Sequence, residues 1–126
     1  MDELLQISDF VSLHCALTAD TRELIGAREL GLMKPSAILI NTARGAVIDQ
    51  NALSDALRNR TIRGAGLDVF TQEPLPANDA LVGLPNVVLT PHFGSATERT
   101  RERMSLLCAE NVLAALRSET IPHLVS

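Results

Sequence analysis

Tryptophan and tyrosine are absent from this 126-residue chain, and Phe10, Phe70 and Phe93 are its only aromatic residues. Without stacking platforms, a surface for single-stranded nucleic acid is a poor reading. Lysine is scarce too: ten arginines and Lys34 make up the 11 basic residues, against 15 acidic ones, for a net charge of −4. The basic residues are scattered along the chain, which argues against a nucleic-acid face. Cysteine occurs only at Cys15 and Cys108, in no C-x-x-C pair and without spaced histidines. No metal site is therefore implied, and two free thiols in a reducing compartment are expected. No apolar run approaches the roughly 18 to 20 residues that cross a bilayer. The first ten residues, MDELLQISDF, are acidic where a signal peptide is basic. The expectation is a cytoplasmic protein that engages neither membrane nor nucleic acid. One more gap bears on chemistry: the chain has no G-x-G-x-x-G, the glycine-rich loop that cradles the phosphates of a dinucleotide.

What is present is an alternation of strand and helix signals. The length is one domain's worth, and 46% hydrophobic residues, nearly all aliphatic, can bury a core. Phe10 to His14, Ala37 to Asn41, Ala65 to Phe70 and Val87 to Thr90 are short apolar runs between turn-forming residues, suited to strands buried on both faces. Between them, Ala27, Leu30 and Met33 give a helical stripe that must stop before Pro35. Ile48, Ala52, Leu53, Ala56 and Leu57 give a second, with Asp49 or Asn51 as its N-cap. This spacing predicts a mostly parallel sheet with right-handed crossovers. Ser95, with Glu98 three residues later, reads as a capping box that opens a long helix over 95–117. Its stripe of Met104, Leu107, Cys108, Val112, Ala115 and Leu116 continues for about 22 residues, roughly 33 Å, longer than a small sheet needs for cover. Part of that stripe is expected to meet another domain or subunit. The tail SETIPHLVS reads as a surface extension.

Open parallel sheets bind ligands outside the carboxyl ends of their strands. Arg44 in NTARG, Asp68 in AGLDVF and His92 in TPHFGSAT all fall at that edge. Singly, each has a plainer explanation: a surface arginine beside an acid, a satisfied imidazole, and for Glu73 in TQEP a solvated loop carboxylate. Together they offer an anion clamp, a carboxylate and an imidazole. The guanidinium fork of Arg44 matches a carboxylate in bidentate geometry, and Gly45 lets the backbone bend closely around a ligand. Glu73 gains weight if its loop folds back onto His92, fixing the ring and favouring its protonated form. Asp68 sits beside a strand interior, where a carboxylate must be paired or hydrogen-bonded.

The segments SDFVSLHCALTADTRELIG, MKPSAILINTARGAVID, GAGLDVFTQEPLP and LPNVVLTPHFGSATERTR resemble, in order and spacing, the nucleotide-binding domain of the D-isomer-specific 2-hydroxyacid dehydrogenases. The run SATERTRERMSLLCAENVLAALRSETIP looks most like the glyoxylate/hydroxypyruvate reductases of that family. The resemblance implies an α/β, Rossmann-like fold and NAD(P)H-dependent reduction of a small 2-oxo acid to a 2-hydroxy acid, with NAD(H) or NADP(H) as cofactor. It assigns Arg44 to the substrate carboxylate and carbonyl, His92 to protonation of the carbonyl oxygen, and Glu73 to pairing with His92. Asp68, Thr42, Ala43 and Gly94 would line the nicotinamide side together with Arg44 and His92. Cys15 and Ala16 would form a cofactor-facing turn, although members of the family often have proline where this chain has Ala16. Ser95 would lie at the substrate.

In the family, the glycine-rich loop and most of the substrate domain lie upstream of the position matched by Met1. The chain is thus expected to be the C-terminal part of a nucleotide-binding domain, its last helix directed toward the substrate domain. It would bind dinucleotide weakly when isolated, and in the complete protein it would form a homodimer. A different expectation also stands: the family includes corepressors that keep the fold and bind peptides, and an inactive truncated form is a further reading.

Overall fold

Four short apolar segments form one sheet of parallel strands, β1 (Phe10–Leu13), β2 (Ile38–Asn41), β3 (Gly64–Leu67) and β4 (Val87–Leu89), in the order β1-β2-β3-β4. The computed structural model describes residues 1–124, which divide into two compact units, Met1–His92 and a second from Phe93 onward. The sheet belongs wholly to the first. Each strand is added beside the one before it, so the right-handed crossovers all step the same way and place their helices on one face. Helices α2 (Ala27–Leu32) and α3 (Gln50–Arg58) are those crossovers, and a short helix not expected from the sequence, α1 (Asp2–Ile7), packs on α2.

That arrangement corrects the expectation of strands buried on both faces. Val11, Leu13, Leu39, Ala65 and Leu67 join Leu5, Leu30, Leu53 and Leu57 in a single core. On the opposite face, Phe10 is 67% and Val88 68% exposed. With every crossover on one side, nothing in the first unit's connections reaches the other.

Local signals fared unevenly. Asp49 is the N-cap of α3, its carboxylate accepting from the amides of Asn51 and Ala52 at 3.0 and 3.1 Å, while Asn51 lies inside the first turn. Ile48 is not part of that helix as expected; it is extended and bridges Ile25, which buries it by pairing instead of by helical stripe. The strand anticipated through Phe70 stops at Leu67, so Asp68 to Phe70 start a buried turn. In the second unit, the long helix is α4 (Glu98–Leu116), 19 residues capped by Thr97, whose hydroxyl accepts from the amide of Thr100 at 3.2 Å. Ser95 is not the cap because it sits in a tight turn closed by Ala96 N–H donating to the Phe93 carbonyl at 2.7 Å. Met104, Val112 and Leu116 of the expected stripe stay exposed. The tail doubles back, with the Asn111 side chain holding both the amide and the carbonyl of His123; the last two residues of SETIPHLVS lie outside the described range. Among the described residues no helix is long and apolar enough to cross a membrane.

Candidate functional site

Parallel strands put every strand-to-helix connection at one edge, and the candidate residues of the first unit all lie there. After β1 come Cys15 and Ala16; after β2, Thr42, Ala43 and Arg44; after β3, Asp68 and the loop that carries Glu73; after β4, His92. Cys15, Ala16, Thr42, Ala43 and Arg44 line one cleft of about 480 Å³ between the ends of β1 and β2. Glu73 and His92 stand at the wall of a second opening, about 560 Å³, whose other walls include Phe70, Leu75, Leu89 and Pro91.

The pairing of Glu73 with His92 is direct. Glu73 Oε2 lies 2.8 Å from His92 Nδ1, and Glu73 Oε1 accepts from the Phe70 amide at 3.0 Å. Both partners hold the Glu73 carboxyl below the usual range, His92 most and the Phe70 N–H next, with the charge of Arg44 adding to the same effect. An ionised carboxylate only accepts, so Nδ1 carries the hydrogen of this bond and Nε2 is left to exchange a proton with a ligand. The backbone at His92 is left-handed, φ 56°, a conformation more frequent for histidine than for most residues but still costly. Its amide donates to the Thr90 carbonyl at 3.1 Å, which closes the turn and aims the ring back at the Glu73 loop.

Arg44 is exposed, and its Nη1 donates to the carbonyl of Ala43 at 2.7 Å. What fixes its turn is a residue the sequence reading passed over. Asn41, 1% exposed at the end of β2, accepts from the Ala43 amide and donates to the Arg44 carbonyl, both at 3.0 Å. An asparagine that ends a strand ahead of T-A-R-G is an Asx-turn signal, so it was there to be read. Gly45 is needed for contact rather than for flexibility: a Cβ on it would stand 1.9 Å from the carbonyl carbon of Phe70.

Asp68, 8% exposed, accepts from the Thr90 hydroxyl at 2.5 Å, and its amide donates to the Asn41 carbonyl at 3.0 Å. Thr90 was likewise not singled out; only the register of β3 against β4 brings it there. Gly94 and Ser95 belong to the second unit, in the turn that precedes α4. Among the described residues, no three His, Cys, Asp or Glu side chains gather as a metal-ion site.

Residues 1–94 match the family described as D-isomer specific 2-hydroxyacid dehydrogenase, NAD binding domain. The chain belongs to this family. It is 53% identical over 126 residues to a glyoxylate reductase of Korarchaeum cryptofilum, covering all of this chain and 38% of that protein. It is 52% identical over the same length to glyoxylate/hydroxypyruvate reductase B of Pectobacterium carotovorum, covering 39% of it. Among solved structures, a protein of Thermus thermophilus superposes with a TM-score of 0.95 at 50% identity, over 99% of this chain and 40% of that one. An NADPH-dependent glyoxylate/hydroxypyruvate reductase of Sinorhizobium meliloti, in complex with NADP and malonate, gives 0.85 at 41% identity, over 90% of this chain and 35% of that one. The chain thus spans about two fifths of the length of the relatives it matches. As a 2-hydroxyacid dehydrogenase NAD-binding domain, it keeps the Rossmann-like parallel sheet of its structural relatives.

Proposed function

We propose that this chain supplies the catalytic edge of an NAD(P)H-dependent reductase that converts a small 2-oxo acid, glyoxylate or hydroxypyruvate, to the 2-hydroxy acid. One observation carries the reading: the Glu73–His92 pair at 2.8 Å, at the same sheet edge as the turn bearing Arg44, in a chain of this family. The names of the relatives support the substrate class.

In this reading Arg44 clamps the substrate carboxylate with its planar fork and faces the carbonyl oxygen where negative charge develops. A bound dihydronicotinamide supplies the hydride to the carbonyl carbon. His92 delivers the proton from Nε2 to the carbonyl oxygen, and Glu73, ionised and fixed by Phe70 N–H, stabilises the imidazolium before transfer and orients the ring. The residues present fit the nicotinamide end of the cofactor: a cleft at the carboxyl ends of β1 and β2, with a buried carboxylate, Asp68, held in place at the neighbouring strand end. Cys15, Ala16, Thr42, Ala43, Asp68 and Gly94 are the residues assigned to it. Ser95 is assigned to the substrate. A cytoplasmic homodimer completes the proposal, the exposed Met104, Val112 and Leu116 of α4 supplying apolar surface for association.

The test is a chimera in which this chain replaces the matching segment of the Korarchaeum glyoxylate reductase, assayed by oxidation of NADH and NADPH with glyoxylate and hydroxypyruvate. The parent chimera should turn over, and His92→Gln should lower kcat about a thousandfold while leaving cofactor affinity nearly unchanged. Equal loss of kcat and of cofactor binding would defeat the role given to His92.

A further inference from the structure

One side chain of α3 reaches the loop that carries Glu73 at two points. Gln50, in the first turn of that helix, accepts from the Thr71 amide through Oε1 at 3.0 Å and donates through Nε2 to Asp79 Oδ2 at 2.8 Å. Asp79 in turn accepts from the amide of fully buried Leu81 at 2.9 Å, which anchors the far end of the loop. The Phe70–Thr71 peptide is also met from another side. Gly45 lies against it so closely that an added Cβ would come within 1.9 Å of Phe70 C and 2.4 Å of Thr71 N. The same short stretch gives the Phe70 N–H to Glu73 Oε1. Two successive peptides therefore join three parts of the site: Phe70–Thr71 meets the turn bearing Arg44 and the first turn of α3, and Val69–Phe70 gives its N–H to the carboxylate that holds His92.

We propose that Gln50 is a positioning residue of this site: by holding the Thr71 N–H while Gly45 abuts the same peptide, it locks the Arg44 turn and the Glu73 loop into one rigid piece. The inference rests on the pairing roles proposed above. A glutamine suits this place because its amide group carries both an acceptor and a donor, and so serves an amide and a carboxylate at once. Gln50 touches neither Glu73 nor His92; it acts through the backbone they depend on. Ser54, 3% exposed one turn along, donates to the Gln50 carbonyl at 2.8 Å and ties the residue to the helix interior.

The experiment is amide NMR of the chain, comparing the parent with Gln50→Ala and with the double variant Gln50→Glu, Asp79→Asn. In the parent the Phe70 amide should report Glu73 ionisation, because it donates to that carboxylate. In Gln50→Ala, which places a strong helix former at the helix start, the Thr71 amide should exchange about fivefold faster. The Phe70 titration should move upward toward that of an ordinary carboxylate. Leu39 and Leu57 amides should keep their protection, which separates repositioning from unfolding. Gln50→Glu with Asp79→Asn exchanges donor and acceptor between the two side chains, keeps an acceptor for the Thr71 amide without setting two carboxylates face to face, and should restore the Thr71 protection. Parent-like Phe70 and Thr71 behaviour in Gln50→Ala overturns the inference. So does a folded double variant without Thr71 protection, which decides the matter if the alanine variant does not fold. The readout needs neither cofactor nor turnover, so it stands or falls separately from the chimera assay.

Discussion

The turn after β2 and the loop after β3 bring Arg44 and Glu73 to the same edge of the sheet, but they are held in different ways. The Arg44 turn is organised from inside: Asn41, only 1% exposed, satisfies an amide and a carbonyl of the turn at the same time. The Glu73 loop is organised from outside. The Glu73 side chain is 37% exposed and its carboxylate is fixed by one loop amide and by His92, whose side chain is 48% exposed, while Gln50 pins the backbone between. A buried network in low dielectric is costly to disturb, so the backbone that carries Arg44 is firmly held. Hydrogen bonds near water are worth less and break more easily, which leaves the acid–imidazole pair the less firmly held of the two.

The contact between the two regions is where this difference is most exposed to attack. Gly45→Ala would force its Cβ into the Phe70 carbonyl, where backbone meets backbone and neither can yield alone. The expected cost is about 3 kcal/mol in urea unfolding; a loss under half of that would mean the two segments are not jammed together. Asn41→Ala tests the inner scaffold alone. It leaves the Ala43 N–H and Arg44 C=O without their partner and should cost about 2 kcal/mol by the same measurement. A neutral result would show that water replaces the asparagine and that the turn is not preformed. The smallest effect is expected at the outer pair. Because the folded Glu73 carboxyl lies below its usual range, its stabilising share is present above the unfolded carboxylate range and is lost as pH falls through the folded value. Exposure screens the pair, so the gap in urea midpoint between the parent and Glu73→Gln should be slight near neutrality and should close on acidification. Parallel pH profiles for the two would mean the pairing adds nothing to the fold.

Much of this edge could be read from the chain. Arg44, Asp68 and His92 follow apolar strands, and parallel strands must end together, so their shared edge follows from sequence order. The cap of α3 was legible to within two candidates, Asp49 and Asn51, because an N-cap is satisfied within three residues of itself; the fold selects Asp49. Gln50 and Thr90 were not, since their partners Asp79 and Asp68 lie 29 and 22 residues away and no local pattern marks such a meeting. The cap of α4 was misplaced by two residues because Ser95 and Thr97 offer the same chemistry. A turn closed onto Phe93 decides between them.

The amino-acid sequence by itself determined the alternation of β1 to β4 with α2, α3 and α4, and the family, since each depends on local pattern or motif. Only the tertiary structure decided that one face of the sheet carries the crossover helices while Phe10 and Val88 on the other stay exposed, because that follows from the direction in which successive strands are laid down. It alone decided, too, that a glutamine on α3 and a glycine beside Arg44 grip one peptide of the Glu73 loop. Hydrogen bonds and close contacts depend on distances of a few ångströms, and residues far apart in sequence reach such distances only once the chain has folded.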